Sequence, residues 1–157
     1  MSESRASRRF RRRMNLFPAY RGTGGRVEYV AGDWKEVRVR LPLSWRTRNA
    51  VGTIFGGSLY GAVDPLYMLM LIRLLGSDYV VWDKAATIRF RRPGRTTLRA
   101  AIHVDDAELD RIRAAVAEHG KVDRLYRIEL VDADGLVHAE VEKTVYVAAK
   151  RQPSPSP

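Results

Sequence analysis

The chain has 157 residues, with 28 lysines and arginines against 18 aspartates and glutamates, a net charge of +10, and no cysteine. That length suits one domain, and 45% hydrophobic and 9% aromatic residues suffice for a core, which excludes a chain disordered throughout. The lack of cysteine excludes a disulfide scaffold, thiolate metal ligands and a cysteine nucleophile, and it fits the reducing cytoplasm, the expected location.

Six arginines against Glu3 alone put half of the net charge into residues 1–13. These residues are expected to form a disordered basic arm. Ser7-Arg8-Arg9 resembles a twin-arginine export signal, but no apolar stretch follows it before Pro18. An Arg- and Ser-rich start also fits a transit peptide, or a true start at Met14. A single domain is expected over 14–150, followed by a disordered tail over 151–157, where proline and serine alternate.

Within the domain, Val37, Val39 and Leu41 alternate with Arg38 and Arg40, the mark of a half-buried strand. Residues 66–72 form the longest uncharged apolar stretch, and seven residues are too few for a bilayer span, which takes about 20. Extended back to Gly57 and ended by Gly76, the segment reads as one central helix, apolar all round and so buried all round. Strand patterns follow. Val80, Trp82, Ala86, Ile88 and Phe90 share one face; Leu98, Ala100, Ile102 and Val104 share another. Tyr126, Ile128 and Leu130 form a third set, and Val137, Val141, Val145 and Val147 a fourth. Between them, Leu109, Ile112 and Val116 mark a surface helix over 105–118. Strands with one greasy face belong to an antiparallel sheet. The predicted fold is therefore α+β: a curved antiparallel sheet of about five strands wrapped around one long apolar helix, with a second helix outside. Five half-apolar strands leave part of that helix and a sheet edge uncovered, which calls for a homodimer or a dimer of dimers.

The stretch from Asn49 through Gly52, Phe55-Gly56-Gly57 and Asp64 resembles the signature of the PaaI-type hot-dog thioesterases, in which Asn, Gly, His-Gly-Gly and a carboxylate recur at this spacing. Trp82-Asp83-Lys84-Ala85-Ala86 and Arg91-Arg92-Pro93-Gly94-Arg95 resemble an uncharacterised branch of that superfamily, a domain of unknown function. The resemblance covers about residues 14 to 148. It implies a hot-dog fold and an acyl-CoA thioesterase in which Asp64 activates water or attacks the acyl carbon and Asn49 orients the water or the carbonyl.

The residues support the same chemistry independently. Gly56 and Gly57 stand at a helix start, where amides lack intrahelical partners and the dipole is positive, so a thioester carbonyl can be polarised there. Asp64, seven residues on, falls on the same side of a continuous helix. Unpaired among Val63, Leu66 and Tyr67, it would be desolvated and suited to act as a base. The other readings make Asp64-Pro65 an N-cap and first-turn pair, or, in a helix running from Gly57, set Pro65 against the Gly61 carbonyl with a kink there, and make Gly56-Gly57 a plain turn into the helix. Phe55 stands where relatives usually carry a histidine and Met68 where several carry a hydroxyl, so the pocket they line is expected to take a more apolar acyl group, to work more slowly, or only to bind acyl thioesters. Lys84 and Lys143 interrupt apolar strand faces and need partners; each snorkels or pairs with a carboxylate such as Glu140 or Glu142, or Lys84 pairs with Asp64. Arg89, Arg91 and Arg92, with Arg95, form either a phosphate grip for coenzyme A or a solvated face.

No metal site is expected, because His103, His119 and His138 lack ligand spacing and two of them fall on polar strand faces. No cofactor is expected beyond the coenzyme A carried by the substrate. Three functions follow in order: acyl-CoA thioester hydrolysis, non-catalytic acyl binding on the same fold, and nucleic-acid or anionic-membrane binding through the basic arm. No specific nucleic-acid site and no membrane span are expected.

Overall fold

Ser4 and Ser7 begin the first element by capping each other. Ser4 Oγ accepts from the Ser7 amide at 3.1 Å and Ser7 Oγ from the Ser4 amide at 2.9 Å. In the computed structural model, which describes residues 2–150, helix α1 then runs over Arg5–Leu16. Ser7, Phe10 and Met14 make its inner stripe: Ser7 and Met14 are buried, and Phe10 meets Trp34 edge-on at 4.9 Å. The expected disordered arm is thus corrected to a packed helix. Its capping box and its narrow apolar stripe are hidden among arginines, which is why composition pointed the other way. The tail expected over 151–157 lies outside the described residues.

A short helix, α2 (Pro18–Gly22), leads into the sheet. The strands are β1 (Arg26–Val30), β2 (Glu36–Leu41), β3 (Tyr79–Phe90), β4 (Leu98–His103), β5 (Lys121–Val131) and β6 (Val137–Ala149). They pair antiparallel in the order β1-β2-β4-β5-β6-β3. The described residues form six strands where about five were expected. The added one, β1, escapes the alternation test because a bulge between Val27 and Tyr29 brings Val27 and Val30, three apart, to the same buried side.

The central helix crosses the sheet in two pieces, α3 (Gly56–Gly61) and α4 (Leu66–Leu75), ended by Gly76 at φ 88°. Pro65 has no N–H to donate to the Gly61 carbonyl, so residues 62–65 form turns in place of a continuous helix. Gly61 is needed here, since a Cβ would lie 2.7 Å from Thr23 Cγ2. Leu66, Tyr67, Met70 and Leu71 are buried in one core with Ile128, Val141 and Val145 of the sheet, each aliphatic side chain contributing about 1.5–3 kcal/mol. The helix is not buried all round: Met68 and Leu69 are half-buried and Ile72 is exposed. By length and composition alone residues 56–75 are apolar enough to cross a membrane, but half of the stretch is buried in this core.

Helix α5 (Asp106–His119) is capped by Asp105, which accepts from the Glu108 amide at 2.7 Å. Its buried Glu108 accepts from Arg124 and Tyr126 of β5, and Tyr126 stacks on Tyr67 of the central helix at 4.1 Å. A sheet curled around a central helix in this order is the hot-dog fold.

The two sheet edges are β1 and β3. Helix α1 covers the first: the Asn15 amide both donates to and accepts from the Val27 backbone, at 2.9 and 2.8 Å, and Glu3 Oε1 accepts from the Val30 amide. The edge at β3 carries exposed Val80, Trp82 and Phe90.

Candidate active site

The helix break places Asp64. Its amide still donates to the Tyr60 carbonyl at 3.0 Å, while its side chain makes no cap to α4. The capping alternative is therefore not the one the structure adopts. Asp64 Oδ1 accepts instead from the Tyr60 hydroxyl at 2.5 Å and from Lys143 Nζ at 2.9 Å. Lys143 comes from the core face of β6, is fully buried, and also donates to the Asp64 carbonyl and to Asp83 Oδ2 at 2.7 Å. Among the described residues Asp83 Oδ1 has no hydrogen-bond partner, although it is buried. Burial, and then the bond to Asp64, push the Tyr60 phenol well above its ordinary value.

The expected unpaired, desolvated carboxylate is thus corrected: the Asp64 side chain is 42% exposed and held by one ammonium shared with Asp83. Two carboxylates on one ammonium leave a net negative charge. Both side-chain contacts to Asp64 fall on Oδ1, so Oδ2 is the oxygen left to meet a ligand.

Asp64 opens on a cavity of about 1130 Å³ between α1, α2 and α4. Its walls include Phe10, Met14, Tyr20, Trp34, Met68 and Leu69. Arg9, Arg13 and Arg73 line it as well, the Arg73 guanidinium lying 5.2 Å from the Trp34 ring centre. The Tyr20 hydroxyl donates to the Ala62 carbonyl at 2.9 Å and ties α2 to the helix break; burial raises its pKa.

Met68 thus shares a cavity with Asp64, and the other expected site residues do not line it. The helix start is covered by two rings: a Cβ on Gly56 would lie 2.9 Å from Phe90, and one on Gly57 2.4 Å from Phe55. Since residues 62–65 are not helical, the expected alignment of Gly57 with Asp64 along one helix does not hold. Asn49 is committed to its own turn, accepting from the Val51 and Thr53 amides and donating to Thr53 Oγ1.

Lys84 does not reach Asp64. A bulge between Asp83 and Ala85 shifts the phase of β3, turning Val81 and Asp83 inward and leaving Lys84 exposed, paired with Asp123 at 2.6 Å. Lys143 takes the role considered for Lys84. Arg89 and Arg91 bridge Glu142 and Glu140 at 3.1 and 2.9 Å, and Arg92 donates to the Val137 carbonyl. These arginines brace β3 against β6. His138, expected on a polar face, is buried between Asp132 and the Pro93 carbonyl.

Tyr60, Asp83 and the cavity wall from α1 join the site without having been expected there. Tyr60 lies one turn before Asp64, a spacing that marks a pair, whereas nothing local links Asp83 to Lys143 across 60 residues.

The model of a domain of unknown function (DUF4442) matches residues 6–147. No match is found among curated proteins. Among solved structures, a Pseudomonas aeruginosa protein of unknown function, described as a probable thioesterase, is 22% identical over 95% of this chain and 99% of its own, with a TM-score of 0.81. A Chlorobaculum tepidum protein of unknown function is 16% identical over 92% and 95%, with a TM-score of 0.73. A Haemophilus influenzae thioesterase is 13% identical over 87% of each chain, with a TM-score of 0.64. At these identities the likeness establishes the fold. With the family model covering nearly its whole length, the chain belongs to the DUF4442 family.

Proposed function

We propose that the chain hydrolyses the thioester of an acyl-coenzyme A, or of a related acyl thioester, with Asp64 as the base that draws a proton from water or as the nucleophile at the acyl carbon. The observation that carries this reading is the carboxylate itself: Tyr60 and Lys143 fix Oδ1 while the side chain opens on a large apolar cavity. A group held by two neighbours keeps its geometry at little entropic cost when a substrate arrives. The apolar wall suits an apolar acyl group, with Met68 beside it. Arg9, Arg13 and Arg73 are better placed than Arg89, Arg91 and Arg92 to meet coenzyme A phosphates. Water and the thioester suffice for the reaction, coenzyme A entering as part of the substrate, and the cytoplasm is the compartment proposed.

We place the active form in a homodimer or dimer of dimers joined along β3. Phe90 on that edge touches Gly56, so the amides of Gly56 and Gly57 sit beside the joint, where a second copy would complete the site. The second reading, acyl binding without hydrolysis, is favoured by Phe55, which stands where the thioesterase signature that this stretch resembles has histidine. Release of free thiol from a panel of acyl-coenzyme A esters decides between them: hydrolysis above the spontaneous rate is expected, and binding of these esters with no release would establish the second.

A further inference from the structure

Of the arginines that α1 turns outward, Arg5, Arg8 and Arg12 do not line the Asp64 cavity and remain unexplained by hydrolysis. Arg5, Arg8, Arg9, Arg12 and Arg13 are all exposed, and Arg21 and Arg46 extend the same basic face. The one acidic residue in the first 25, Glu3, is paired with Arg11 at 2.8 Å. Three bulky apolar side chains stand out from this face: Trp45 is 82% exposed, Leu16 68% and Phe17 57%.

These residues form one continuous surface. Leu16 lines a depression with Trp45, Arg21 and Arg46, a second with the α1 arginines, and the large cavity that Asp64 enters. The combination of an unopposed guanidinium field and protruding Leu, Phe and Trp is that of a surface that lies in a bilayer interface. Guanidinium forks bind lipid phosphate oxygens, and tryptophan favours the headgroup level, where its ring is part apolar and part hydrogen-bonded. A nucleic acid offers phosphates too, but leucine has no face to stack on a base, and the Trp45 ring already has the Arg46 guanidinium 5.0 Å from its centre.

We propose that the face formed by α1, Phe17 and Trp45 docks on an anionic lipid bilayer, so that the cavity opens at the membrane surface. An apolar acyl chain would then pass from lipid to cavity without crossing water. Docking is independent of whether the site hydrolyses anything.

The test is co-sedimentation of the full chain with vesicles of phosphatidylcholine alone and of phosphatidylcholine with phosphatidylglycerol, alongside duplex DNA and single-stranded RNA. Binding to the anionic vesicles only is expected, falling as salt rises. Arg8→Gln with Arg12→Gln should weaken it about thirtyfold, because each basic side chain near an anionic surface adds about fivefold. Trp45→Ser should weaken it about as much as one arginine, with an unchanged melting temperature as the check on folding. Equal sedimentation with neutral vesicles, full binding by both variants, or tight binding to nucleic acid without binding to vesicles would overturn the proposal.

Discussion

Lys143 is the residue on which the site turns. A fully buried ammonium survives only if its charge is answered, and here Asp64, Asp83 and a backbone carbonyl answer it. Lys143→Met should therefore destabilise the protein by about 3–5 kcal/mol, read as a lower denaturation midpoint in urea, because Asp83 keeps a buried oxygen and loses its cation. A change below about 1 kcal/mol, the range of exposed pairs, would mean that the cluster is solvated. Part of this was legible in the sequence: Lys143 falls in phase with Val141, Val145 and Val147, all buried. Its partners were not, because the bulge in β3 swaps Lys84 for Asp83 on the inner face, and a bulge leaves no mark in the alternation of side chains.

Among the elements, those with long unbroken patterns were legible and those built from a few specific contacts were not. The central apolar helix, four strands in phase and the surface helix over 105–118 follow from periodicity. Helix α1 depends on a Ser-Ser cap, on Asn15 standing in for a neighbouring strand and on Glu3 reaching Val30, contacts that composition cannot weigh. Helix α5 is tied down by charge. Burial pushes the Glu108 carboxyl up, but hydrogen bonds from Arg124, Tyr126 and Arg111 outweigh it and hold the pKa below the usual value of 4.5. Glu3 is lowered likewise, chiefly by its bond to Arg11. Since folding lowers these pKa values, their stabilisation is complete above about pH 4.5 and fades as the pH falls through the lower folded values. A series of thermal melts should show the loss on acidification. Glu108→Gln should cost about 2 kcal/mol at neutral pH and flatten that dependence; an unchanged slope would remove Glu108 from the account.

At the scale of the whole molecule, one sheet edge is closed by α1 and the other, at β3, shows Val80, Trp82 and Phe90 to solvent. An open edge with apolar side chains is a template for pairing. Light scattering should give a mass of at least twice 17.8 kDa, and Trp82→Glu should lower it toward one chain. A single-chain mass for the parent at micromolar concentration would end the dimer and with it any site shared across β3. Whether Asp64 performs chemistry is read from Asp64→Asn beside the parent in thiol release on the best acyl-coenzyme A ester. Asparagine keeps the volume, and Asp83 remains on Lys143, so the variant should stay folded. The kcat of the variant should fall roughly 100-fold or more, the scale of a lost general base. Release by the folded variant at the parent's rate would contradict that role for Asp64.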